Sequence, residues 1–240
     1  MSEHISRKEL KHDKIRESIE HGAEAVYSHS KAAGILVALI LLAVVGYAGW
    51  KFYSDRQNVQ ASAALDEAMK TYNARVRLAN EPVDASEPSF LSESARAEVA
   101  VQKFTVVADK YPSTNPGRLA RYYQSLTLED LEKHNQALEE LKKIGSGSDQ
   151  ELAAMAQYQV ANIYARTGKT EDAVKTYRAL AESKSVLVPR PLVLIELADL
   201  LRQSNPTEAT NLYQQIKKEF PDSAIAERAD RGQGMLAPRS

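Results

Sequence analysis

The hydrophobic and polar positions of the chain fall into three regimes. Residues 32–50 carry no charged side chain, and Lys31 and Lys51 stand at the two ends of that run. Ahead of it, Ile15, Ile19, Ala23 and Val26 recur at helical spacing in an otherwise polar segment. Behind it, apolar residues return every three or four positions almost to the C-terminus, the period of amphipathic helices. The pattern predicts an all-α chain: an amphipathic head at 1–31, an apolar span at 32–53, a helix at 54–80, a loop at 81–89, helical repeats with a closing helix at 90–232, and a tail at 233–240.

The apolar run is the length of a membrane crossing. Nineteen residues at about 1.5 Å each cover roughly 28 Å, against a hydrocarbon thickness of about 30 Å. Nine of the nineteen are Ile, Leu or Val, and together they favour insertion by about 3–5 kcal/mol. A soluble helix keeps a polar stripe, and this one has none. Tyr27 and Lys31 on one side, and Tyr47, Trp50, Lys51, Phe52 and Tyr53 on the other, have the chemistry of membrane-interface anchors. A secretory signal has a short head, an apolar core of roughly 7–15 residues and a small-residue cleavage site. Here the head is long and Trp50-Lys51-Phe52-Tyr53 occupies the cleavage position, so retention as an anchor is expected. Gly34 and Ala38 form one small-xxx-small pair within it.

Orientation rests on the short head. Arg7, Lys8, Lys11, Lys14, Arg16 and Lys31 lie on the amino side, although close to the span the two flanks are balanced. Long domains cross largely regardless of their charge, so the basic head favours a cytoplasmic N-terminus and an exported C-terminal part. Ser6-Arg7-Lys8-Glu9 reads as a capping box opening the head helix.

Past the span, Leu65, Met69, Tyr72, Val76 and Ala79 continue a helix, and two prolines mark 80–89 as a loop. Then a period sets in. Ala100, Ala137, Ala173 and Ala209 are spaced by 37, 36 and 36 residues, and bulky residues recur four and seven positions after each. A repeat of that length implies stacked helical hairpins. Helix ends are signalled at Thr167-Gly168, at Thr170-Glu171-Asp172, at His134-Asn135, at Ser148 with Glu151, and at Asn205-Pro206 with Glu208. Residues 222–232 read as a polar closing helix.

The texture of these units, with Ala161, Tyr164, Gly168, Ala173, Tyr177 and Leu180 in one and a Phe220-Pro221 ending in another, resembles the tetratricopeptide repeat over about residues 100–221. The period is slightly long, and the usual tryptophan near the hairpin start is missing. The whole layout, an amino-terminal anchor followed by a short array, resembles the YfgM-like bacterial inner-membrane family. That resemblance implies a non-enzymatic accessory of the Sec translocon and periplasmic chaperones, with translocon subunits, chaperones or exported clients as partners. The bacterial inner membrane, crossed once at 32–53, would be its location, with the repeats in the periplasm. By consensus position, the concave face would present Tyr122, Leu126, Tyr158, Asn162, Arg166, Ile195, Asp199 and Arg202. An envelope-assembly or cell-division scaffold, and a cytoplasm-facing membrane adaptor, stay open as alternatives.

Charge and composition narrow the chemistry. With 31 basic and 32 acidic side chains interspersed, no basic face for nucleic acid is expected. There is no cysteine, which removes thiol catalysis, thiolate metal sites and disulfides together. His4, His12, His21 and His29 are too widely spaced to pair as metal ligands on one helix face, leaving His134 alone in the later part. No Gly-rich phosphate loop or hydrolase motif is present. Neither an enzyme nor a cofactor is expected.

Overall fold

The structure, a computed structural model, describes residues 30–81, 88–145 and 149–236, with side chains from residue 34 onward. The readings of the head helix, its capping box, its histidines and Tyr27, and that of Ser148, lie outside the described residues. So does the Lys31 side chain. The chain divides into two compact units, Met1–Arg56 and Gln57–Ser240.

Helix α1 (Ser30–Tyr72) has its apolar residues in the first unit. From Ile35 to Val45 every Ile, Leu and Val is more than half exposed, and none of the apolar window is buried. By length and composition this helix can cross a membrane. It ends at Tyr72, earlier than its spacing suggests, so Val76 and Ala79 are not helical. Arg75–Val76 (β1) instead pairs in parallel with Ser89–Phe90 (β2), and the Arg77 amide donates to the Phe90 carbonyl at 2.8 Å. Arg96 fixes the exit from the helix by donating to the Ala74 carbonyl at 3.1 Å. The short pairing takes up backbone groups that a longer helix would have satisfied internally.

The second unit is a stack of antiparallel helices: the end of α1, then α2 (Glu93–Lys110), α3 (Asn115–Asp130), α4 (His134–Gly145), α5 (Gln150–Arg166), α6 (Thr170–Ala181), α7 (Arg190–Ser204), α8 (Pro206–Glu219) and α9 (Ala224–Gly234). The periodic alanines explain how it closes. Ala100, Ala137, Ala173 and Ala209 are all fully buried, at the crossing of each second helix with its partner. Opposite them stand other small residues, Ala68, Ser125, Ala161 and Ala198, equally inaccessible. Small residues on both sides let helix axes approach to the short end of the usual 8–10 Å range. Four positions on, Phe104, Leu141, Tyr177 and Tyr213 fill the space beside each crossing, and seven on, Val107, Ile144, Leu180 and Ile216 close it. The core therefore forms three neighbouring clusters along the stack. Such an arrangement derives its stability from nearest-neighbour contacts.

The turns follow from capping chemistry. Asn205 caps α8 as read, its side-chain oxygen accepting from the Glu208 amide at 3.2 Å with Pro206 in the first turn. Ser223 caps α9 in the same way. Three expectations are corrected. Asp149 caps α5, accepting from the Leu152 amide at 3.1 Å, so Glu151 is left for another task. Thr170 is already helical: Gly168 takes the left-handed turn (φ 75°), the Lys169 amide bonds back to the Tyr164 carbonyl, and Lys169 occupies the cap position without a side-chain bond. Between α3 and α4 the turn lies at Glu132 (φ 57°), two residues before His134, which is already helical.

Glu151 clasps the long connection between α6 and α7. Its carboxylate accepts from the Ser185 hydroxyl at 2.6 Å and from the Val186 and Leu187 amides at 3.1 and 3.0 Å. Ser185 in turn accepts from the Val188 amide. The Ser185 hydroxyl first, then the two amides, hold the Glu151 carboxyl below its ordinary 4.5. A depressed folded pKa means the clasp is fully present above the ordinary value and is lost as pH falls through the lowered one. Hydrogen exchange at Val186 and Leu187, corrected for intrinsic rates, should therefore show constant protection near neutrality and falling protection once the pH drops below the ordinary glutamate range. Glu151→Gln should abolish that pH dependence; a flat profile in the unmodified chain would refute the clasp.

Candidate protein-binding cleft

The first helices of successive hairpins share one side of the stack, as the geometry of a helical solenoid requires. There they enclose a cleft of about 580 Å³, lined by Tyr72 of α1, Leu126, Glu129 and Asp130 of α3, Tyr158, Gln159, Asn162, Ala165 and Arg166 of α5, Tyr177 of α6 and Glu196 of α7. Of the eight residues read from consensus positions, Leu126, Tyr158, Asn162 and Arg166 meet here. Two are corrected to core positions: Tyr122 is 6% exposed and packs among Leu138, Leu141 and Ile144, and Ile195 is completely inaccessible. Both fall on the inward flank of helices whose neighbours close over them. Arg202 sits beside the Met235 sulfur, and Asp199 lies further along, against α8 and α9.

A polar network organises the walls. The Tyr177 hydroxyl donates to Asn162 Oδ1 at 2.5 Å, and Asn162 Nδ2 donates to Gln159 Oε1 at 3.4 Å. Gln159 Nε2 reaches the Tyr122 hydroxyl at 3.4 Å. Tyr158 and Tyr177 meet edge to face with centroids 6.3 Å apart. Glu129, its side chain only 8% exposed, pairs with Arg166 and lies 2.9 Å from His134 Nδ1. Half-buried His134 thus serves the carboxylate rather than standing free in solvent. Arg228 of α9 donates to Glu196 at 2.7 Å and to Asp199 at 2.5 Å, while the Tyr213 hydroxyl donates to the other Asp199 oxygen at 2.5 Å.

The electrostatics are consistent across the cleft. Burial raises the phenol pKa of Tyr72, Tyr158 and Tyr177, and in each case the next cause is a cleft carboxylate: Asp130 for Tyr72, Glu196 for the other two. Desolvation also raises Asp130, with Arg96 pulling it back. Tyr72, Glu129, Asp130, Tyr177 and Glu196 were not legible as site residues. Tyr177 recurs as a core position in the period, Tyr72 belongs to the helix ahead of it, and the carboxylates sit at helix faces whose orientation only the stacking angle fixes.

Among the described residues, no three His, Asp or Glu side chains converge as a metal ion would require. In the first unit Tyr47, Trp50, Phe52 and Tyr53 are all more than 60% exposed, with the Tyr47 and Trp50 rings 6.1 Å apart. Lys51 is exposed beside them.

Hairpins of this shape, stacked with alanine crossings and a cleft along their first helices, define a helical-repeat scaffold. The chain belongs to the tetratricopeptide repeat-like domain family, whose pattern matches residues 27–185, and residues 193–223 match a further tetratricopeptide repeat. The first match begins ahead of the apolar helix. No curated protein matches the chain. Tetratricopeptide repeats indicate protein partners in general.

Proposed function

We propose that this protein is a single-pass membrane protein whose repeat stack receives other proteins in the cleft described above. The observation that carries the anchoring is the apolar part of α1: nine Ile, Leu and Val side chains with no protein covering them. In water that surface would cost on the order of 1.5–3 kcal/mol per large side chain left uncovered, whereas lipid covers it. The family match, which takes in this helix together with the repeats, supports treating the two as one functional design.

The N-terminus stays in the cytoplasm and the repeats lie in the periplasm of a bacterial inner membrane, with the Sec translocon and periplasmic chaperones as the setting. The short basic head and the resemblance in layout to the YfgM-like family support this placement. The role is non-catalytic: holding translocon subunits, chaperones or emerging clients near the membrane.

A reporter active only after export, fused behind Ser240, tests it together with carbonate extraction of the membranes. An active fusion in the carbonate-resistant pellet is expected. An inactive fusion in the pellet would place the repeats in the cytoplasm, and a carbonate-soluble chain would remove the anchor. Photocrosslinking from α1 in intact membranes, followed by protein identification, distinguishes translocon neighbours from envelope-assembly or division factors.

A further inference from the structure

The cleft has a charge pattern with one position left open. Two sets of carboxylates on the inner helices receive a guanidinium from the next inner helix along. Glu129 of α3 takes Arg166 of α5, and Glu196 and Asp199 of α7 take Arg228 of α9. Asp130, beside Glu129 at the exposed rim of the same cleft, makes no ion pair among the described residues. The nearby Arg96 is engaged by the Ala74 carbonyl, and Glu93 adds further negative charge. Among the charged groups facing this region, Glu93, Glu129, Asp130 and Glu196 outnumber Arg96, Arg166 and Arg228.

We infer that the cleft takes a lysine or arginine side chain from an extended segment of a partner protein, with Asp130 as its counter-charge and the Tyr72 and Tyr158 rings as its walls. The inference rests on the reading of the cleft as a protein-binding site. Tyrosine faces attract cations, more strongly where water is excluded. A cationic partner also complements the Asp130 and Glu196 carboxylates, which add to burial in disfavouring ionised Tyr72, Tyr158 and Tyr177, while a carboxylate or phosphate would meet like charge. The partner's cation would stand where a further inner-helix arginine stands at the other two carboxylate sites, so the chain's own Arg166 and Arg228 show the chemistry that its neighbour lacks.

The probe is a set of nine-residue N-acetylated, C-amidated peptides, identical except for a central Lys, Arg, norleucine or Glu, titrated onto the full chain in detergent micelles. Lys and Arg peptides are expected to bind about tenfold more tightly than norleucine or Glu peptides, with the advantage shrinking as salt rises. Asp130→Asn should erase the preference, and Asp130→Glu should restore it. Unchanged melting and helical circular dichroism in both variants will show the stack intact, since Asp130 lies exposed at a helix end. Binding of all four peptides alike would overturn the cationic preference and leave a protein-binding cleft standing. Binding of none would overturn both readings, and a preference that survives Asp130→Asn would overturn the assignment to this cleft.

Discussion

Phe104→Ala is expected to cost about 3–5 kcal/mol of unfolding free energy, the usual range for emptying an aromatic core position. Phe104 is completely inaccessible and stacks on Tyr123 with centroids 5.6 Å apart, while Tyr72 meets it edge-on at 5.9 Å. Around these rings lie Ala61, Leu65, Ala68, Ala100 and Tyr111, on helices that cannot draw together because small residues already bring them close. The ring volume would therefore stay largely empty. Because a solenoid is stabilised neighbour by neighbour, the damage should be local. Hydrogen exchange on the full chain in micelles should show residues 57–110 opening first, with α7 and α8 retaining their protection. Uniform loss along the stack would show that the three clusters act as one core instead.

Gly117→Ala should act through the backbone and carry a similar penalty. Alanine normally stabilises a helix over glycine by roughly 1 kcal/mol. At Gly117 an added Cβ would lie 1.8 Å from the Tyr111 carbonyl oxygen and 2.6 Å from its carbon. Both are main-chain atoms, and the carbonyl is held by the Thr114 hydroxyl, which donates to it at 2.9 Å while accepting from the Gly117 amide at 3.0 Å. Opening that turn separates the first two hairpins, so the cost should reach or exceed the about 1–3 kcal/mol typical of overpacking. Gly234→Ala is the control, since nothing lies within 4 Å of a Cβ there. Thermal melts of the two variants should diverge, the first falling well below the parent and the second matching it or rising. Equal melts would mean that the turn yields cheaply.

The architecture was legible because one residue type marks each helix crossing. An alanine every 36 or 37 positions, followed by bulk at the fourth and seventh, states both the period and the packing. What the pattern did not convey was rotation about each helix axis. Tyr122 and Ile195 occupy positions that a consensus places on the concave face, yet here the neighbouring helices cover them. Half a turn of uncertainty is enough to exchange a core residue for a lining one. Glu129 and Glu196 show the converse, since each gains its setting from an arginine on another helix about thirty residues or more away. The end of α1 was missed for a different reason. The apolar spacing continues through Val76, and only the pairing with Ser89–Phe90 ends the helix at Tyr72.

That small parallel pairing gives the chain a docking port for engineering. Both strands are tied to the start of α2, the first through Arg96 on the Ala74 carbonyl and the second by leading directly into the helix. The sequence between them can therefore be lengthened at little entropic cost, about 0.6 kcal/mol for each doubling of a flexible loop. An epitope or a fluorescent label inserted between Arg77 and Pro88 leaves every crossing alanine and every cleft-lining residue of the sequence unaltered.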